Sequence, residues 1–238
     1  MDRFKSSHHI SHQFDNELED IRNRVLVMGG LVEEQLRDAI SALFEDSVAA
    51  EKVLANDYRI NQFEIDIDRV CSQILARRQP TASDLRLVIG VGKAISDLER
   101  IGDEAQLIAR KTEKILIQES KRYYPELKSL TENVLIMLHE ALDVFARMDV
   151  KAAVEVAYRD VKIDNSYGSV LTSLVEEMED KPEMVRRTVE LMWVTRALER
   201  IGDHARNICE HVIFIGIGKD VRHVSLDQMQ REVARVSP

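Results

Sequence analysis

The sequence predicts an all-α protein of two tandem three-helix bundles, six long helices in all. Three observations predict it. Only 5% of the 238 residues are aromatic, and there are just 9 Gly and 4 Pro, which starves strands and turns while Leu, Ile, Val, Ala, Glu and Arg abound. Apolar residues recur at helical steps. One hexapeptide, Leu-Glu-Arg-Ile-Gly-Asp, occurs twice, at 98–103 and 198–203.

The first helix follows from Leu18, Ile21, Val25, Met28, Val32, Leu36, Ala39 and Leu43, whose steps of 3 and 4 form the seam of a helix lying nearly parallel to its neighbours. Gly29-Gly30 interrupts it, which implies close approach of another helix. Asp46-Ser47 closes this helix and caps a second, Val48 to Arg78, which ends at Gln79-Pro80. After the capping segment Thr81–Asp84, a third helix reaches about Gln118 on a seam of Val88, Val91, Ile95, Leu98, Gly102 and Ala105. Tyr124-Pro125 restarts the chain. A fourth helix spans about Glu126 to Arg147, a fifth Val150 to Glu179, and a sixth Pro182 to about Ile215, with Trp193 in the core. The tail has weak periodicity and is expected to dock loosely. The expected units are 1–120 and 121–218, followed by the tail 219–238.

The repeat is more than one motif. Asp46–Ala50 aligns with Asp149–Ala153, and Asp57–Asn61 with Asp160–Asp164, both 103 residues on, whereas the hexapeptides are offset by 100. An ordered series with one three-residue length change indicates duplication.

Composition excludes several functions. The formal charge is −9, and the short basic runs Arg77-Arg78, Lys121-Arg122 and Arg186-Arg187 fall at expected helix ends, so nucleic acid is not an expected partner. No apolar run approaches the ~18 residues of a membrane span, and the N-terminus lacks a signal-peptide core. Cys71 and Cys209 stand alone, as buried thiols in a reducing compartment would. A cytosolic protein is expected. Gly90-Val-Gly92-Lys93 is not a phosphate loop, since Leu87 and Ala94 stand where Gly and Ser/Thr are required.

The acidic residues offer a site. Glu99 and Asp103 lie one turn apart on one helix face, as do Glu199 and Asp203. A helical hairpin centred on residue 80 places Asp57 level with Asp103, and Asn61 level with Glu99. One centred between Lys181 and Pro182 does the same for Asp160 with Asp203 and Asp164 with Glu199. Such oxygen clusters call for a hard cation, Mg²⁺, Mn²⁺, Ca²⁺ or iron, rather than zinc. The alternative is a solvated acidic stripe. His8, His9 and His12 are expected to be a disordered or capping feature, and His204 and His211 to be exposed helix residues, the alternative being that one of them joins a metal.

The two ERIGD segments, the Arg77–Arg86 connection, the Phe145–Asp149 corner and the Arg222-His-Val tail resemble the PhoU family over nearly the whole chain. The resemblance implies two bundles related by pseudo-twofold symmetry and metal bound at E(D)xxxD motifs. Carried over, these are Asp57/Asn61 with Glu99/Asp103, and Asp160/Asp164 with Glu199/Asp203. Asn61 departs from the acidic pattern, so the second unit is expected to bind metal first. The resemblance further implies a non-enzymatic negative regulator of the phosphate regulon, between the phosphate ABC transporter (Pst) and the sensor histidine kinase PhoR. It implies a homodimer that meets the membrane only through partners. The runner-up is a carboxylate-bridged dimetal enzyme, a hydrolase or oxidase. Against its ferritin-like form, Gly102 and Gly202 occupy the positions where Glu-x-x-His needs histidine.

Overall fold

The computed structural model describes residues 3–44, 47–112, 115 and 124–236, with only the backbone path for residues 3–11, 47, 48, 57 and 124. These form eight α-helices and one 3₁₀ turn, with no strand among the described residues. In the first unit, α1 (Arg3–Phe44), α2 (Ser47–Arg78) and α3 (Ala82–Thr112) pack against one another. In the second, α4 (Tyr124–Arg147) packs against α5 (Val150–Ala157) and α6 (Asp160–Asp180), which each also pack on α7 (Val185–Ile217), with Pro182–Met184 as the 3₁₀ turn. α8 (Leu226–Val236) follows.

The expected seams are the buried ones. All eight α1 residues from Leu18 to Leu43 are at most 9% exposed, and the α3 seam is buried throughout. At about 1.5–3 kcal/mol per buried aliphatic side chain, these stripes dominate the stabilisation. Ion pairs set the direction of α2 against α1. Arg78, in the last turn of α2, pairs with Glu17 at 2.6 Å, and Lys52 near its start pairs with Asp38 at 2.7 Å. Gln35 on α1 donates to the Gly102 carbonyl at 3.1 Å across the buried interior.

α3 and α7 form the largest pairing in the fold and join the units. Each duplicated apolar position is buried in both: Leu98 and Leu198, Ile101 and Ile201, Ala105 and Ala205, Ile108 and Ile208. Gly29 does meet a neighbour, since a Cβ there would lie 2.5 Å from Leu142 Cδ2 on α4; around Gly30 nothing explains the glycine.

Several expectations change. The single fifth helix is two, broken at Tyr158-Arg159, where Arg159 N–H bonds to Val156 O (2.9 Å) in place of α-helical bonding. No Gly or Pro marks the break. It directs α5 toward α8, while α6 runs along α4 and α7. The tail is not loose: α8 buries Met229 (0% exposed) and Val233 (5%), and Tyr158 Oη bonds to Asp227 at 2.9 Å. Two anchors one turn apart are too few to register as periodicity. Trp193 is 53% exposed rather than core, its ring under Lys111 Nζ at 5.7 Å. The α1–α2 cap at Asp46, the end of the third helix near Gln118 and the Lys121-Arg122 run lie outside the described residues.

Both cysteines are buried free thiols, and burial pushes Cys71 up to about 12 and Cys209 higher still, so neither is poised to react. Among the described residues no helix is long and apolar enough to cross a membrane.

Candidate functional site

The two hairpins place their acidic sets through one repeated contact. A Cβ on Gly102 would lie 3.2 Å from Ile60, and one on Gly202 would lie 3.0 Å from Ile163. These isoleucines precede Asn61 and Asp164, so α2 meets α3, and α6 meets α7, next to the oxygen-bearing positions. In the first unit Ser96 Oγ also bonds to Glu64 at 3.1 Å.

In the second unit the four carboxylates act on one another. Asp160 is 3% exposed; burial raises its pKa and Asp164 and Asp203 add to the rise, against the hydrogen bond and charge of Arg206. Glu199 is raised for the same leading reason, then by Asp203, with Asp164 and Asp160 adding and Arg196 opposing. Arg206 donates to Asp160 Oδ2 at 3.2 Å and Arg196 to Glu199 Oε1 at 2.6 Å. The remaining oxygens, Asp160 Oδ1 and Glu199 Oε2, are buried without a hydrogen-bond partner among the described residues. Asp164 and Asp203 are exposed.

In the first unit Asn61 Oδ1 is likewise buried without a hydrogen-bond partner, Glu99 is half-buried and Asp103 exposed. The Asp57 side chain lies outside the described residues. No three Asp, Glu, His or Cys side chains among the described residues converge closely enough to hold an ion as they stand. The orphaned oxygens nevertheless fit a hard cation, which satisfies buried acceptors that nothing else meets.

A second cluster went unread in the sequence. Asp97 on α3 is 7% exposed and accepts three bonds from α7: His204 Nδ1 at 2.8 Å, Asn207 Nδ2 at 3.0 Å and His211 Nε2 at 2.7 Å. Burial opposes its ionisation, but these three bonds outweigh it and hold the carboxyl well below its usual range. A carboxylate only accepts, so both imidazole nitrogens carry a proton. His204 and His211 are therefore buried clamps between the units, not exposed residues as expected. One signal was available: Asp97 lies three residues after Ala94 and four before Ile101, on the buried stripe of α3. Of the N-terminal histidines, His12 is exposed on α1, and the His8 and His9 side chains lie outside the described residues.

Fold and site together define a duplicated helical-bundle protein with one oxygen-rich set in each half. The PhoU domain model matches residues 25–112 and 127–212. The chain is 49% identical over 229 residues to a Pseudomonas aeruginosa protein named phosphate-specific transport system accessory protein PhoU homolog, covering 95% of each. It is 41% identical over 235 residues to the Escherichia coli phosphate-specific transport system accessory protein PhoU, covering 98% of each. The crystal structure of PhoU from Pseudomonas aeruginosa superposes with a TM-score of 0.83 at 48% identity, over 87% of this chain and 100% of that one. The phosphate transport system regulatory protein PhoU from Streptococcus pneumoniae gives 0.82 at 31% identity, over 87% and 99%. The chain belongs to the PhoU family.

Proposed function

We propose that this chain is a metal-binding, non-enzymatic adaptor of phosphate transport, which restrains phosphate uptake and the phosphate-starvation response by linking the phosphate ABC transporter to the sensor kinase PhoR. The observation that carries the transport role is near-full-length identity to proteins named as phosphate-transport accessory proteins. The chain works in the cytoplasm as a homodimer, reaching the membrane only through its partners. Deleting the gene in its host is expected to derepress phosphate-starvation genes in phosphate-rich medium; unchanged reporter output would refute the regulatory role.

The metal part rests on the buried, unpartnered Asp160 Oδ1 and Glu199 Oε2. Asp160, Asp164, Glu199 and Asp203 would hold a Mg²⁺, Mn²⁺, Ca²⁺ or iron ion first, and Asp57, Asn61, Glu99 and Asp103 a weaker one. The ion would neutralise the repelling carboxylates and brace each hairpin. Glu199→Ala with Asp203→Ala is expected to lower bound metal per chain in protein purified without chelator; equal occupancy in mutant and parent would remove this part alone.

A further inference from the structure

The Asp97 cluster forms part of the floor of a groove of about 910 Å³ along the α3–α7 crossing. Its lining contrasts with the rest of an acidic chain: six Lys or Arg side chains face four carboxylates, and His204, His211 and His223 add imidazoles. One of the four carboxylates, Asp97, is already covered by three donors. Among the described residues, Ile89 is the single apolar side chain of the lining, and no Phe, Tyr or Trp contributes to it. Such a groove has no slot for a nucleobase or an acyl chain; what it offers is charge, spread over α2, α3, α7 and a loop.

Only part of the basic lining comes from the duplication, which supplies Arg100 and Arg200 as one repeated position. The other cations are not repeated: Lys93 corresponds to Trp193, Arg196 to Ser96 and Arg206 to Gln106. The cations are also held in place. Arg200 is fixed by Glu104 at 2.9 Å, Arg206 by Asp160 and Glu210 at 3.2 Å each, and Arg222 by Asp220 at 2.5 Å. Lys93 lies over the Phe214 ring at 5.1 Å. Arg100, exposed on the groove wall, makes no ion pair among the described residues. The loop carrying Arg222 and His223 is anchored by Val221, 1% exposed, and His223 adopts a left-handed backbone, φ 64°, at the rim. Preordered arginines on two sides suit a ligand with several oxyanion groups in a row.

We infer that this groove binds a linked-phosphate anion, a pyrophosphate unit either free or within a nucleotide, through Lys93, Arg100, Arg200 and Arg222. Asp203 belongs to both this groove and the second acidic set, so the inference is tested without metal. The test is calorimetric titration of the full chain, freed of metal by chelation, at about 0.15 M salt, where weak surface attraction is screened. The probes are inorganic phosphate, pyrophosphate, ATP and a glutamate-rich peptide. Pyrophosphate is expected to bind saturably and about tenfold more tightly than phosphate, with ATP comparable to pyrophosphate. Arg100→Glu should weaken pyrophosphate binding about tenfold at an unchanged unfolding midpoint, and Arg69→Glu, outside the groove, should leave it unaltered. ATP far tighter than pyrophosphate would mean that a base is read after all and would overturn this assignment. So would the absence of saturable binding, equal affinity in Arg100→Glu, or a peptide that binds as tightly as pyrophosphate.

Discussion

In the first repeat position 96 is serine and position 106 glutamine; in the second, the matching residues are Arg196 and Arg206. The same comparison replaces Asn61 with Asp164. The second acidic set has thus gained a negative charge and two cations, and both cations are engaged, on Glu199 and Asp160. The difference teaches that counting carboxylates does not by itself rank two sites for metal. A set that is more acidic is also more neutralised, and an incoming ion competes with arginines already in place. Burial leaves two of the second set's oxygens, and one of the first set's, without a hydrogen-bond partner among the described residues.

The contrast is sharpest at the crossing of the repeats, where Asp97 corresponds to Ala197. Asp97→Ala makes the repeats alike there and leaves three α7 donors, the buried His204 and His211 and the half-buried Asn207, without their acceptor. It is expected to cost about 3 kcal/mol in urea unfolding at neutral pH. Because the folded pKa of Asp97 lies below the unfolded value of about 3.9, its contribution is full above that value. The cost should therefore hold from pH 7 to about 5 and shrink as the pH falls below 4. A mutant as stable as the parent at pH 7 would show that the clamp does not hold the bundles together.

Arg206→Gln gives the second repeat the residue that the first has at Gln106. Manganese titration should show about fivefold tighter binding in the second unit, since the ion no longer displaces a cation from Asp160. Unchanged affinity would mean that the arginine does not compete.

Glu199→Gln should stabilise the metal-free protein by about half a kcal/mol at pH 7, water screening the rest. The folded pKa of Glu199 is raised, so its ionised form works against folding above that pKa. The gain should vanish as the pH falls below about 4, where the carboxyl is protonated in both states. Thermal melts across that range check the sign.

The smallest effect concerns the break between α5 and α6, for which α2 has no counterpart. Tyr158→Phe removes the bond to Asp227 and should quicken amide exchange in α8 while leaving the global unfolding midpoint in place.

The long helical stretches, their order and the repeat were legible because each depends on spacing within one segment, whereas the break between α5 and α6 and the docked α8 were not. The α1 seam read from Leu18 to Leu43 is the buried seam, and Pro80 and Pro182 do lie at the hairpin turns. The acidic residues could be nominated by the same means. What stayed hidden depends on how two helices meet. His204 and His211 look like solvated residues until α3 is laid across α7 and brings Asp97 beneath them. Trp193 counts as core by residue type, yet the crossing leaves its face outward. Arg196 and Arg206 carried no motif, and only their contacts reveal that they neutralise the second set.

The α3–α7 crossing has one further consequence. Two identical halves meeting on a twofold axis must make every contact twice, so an aspartate clamped by histidines at one end would be clamped at the other. Joining the halves in one polypeptide removes that obligation. Here one side of the axis carries the Asp97 clamp and the other the Glu104–Arg200 pair. The molecule therefore has a polarity that no symmetric assembly of its half could possess, and a binding partner can tell its two ends apart.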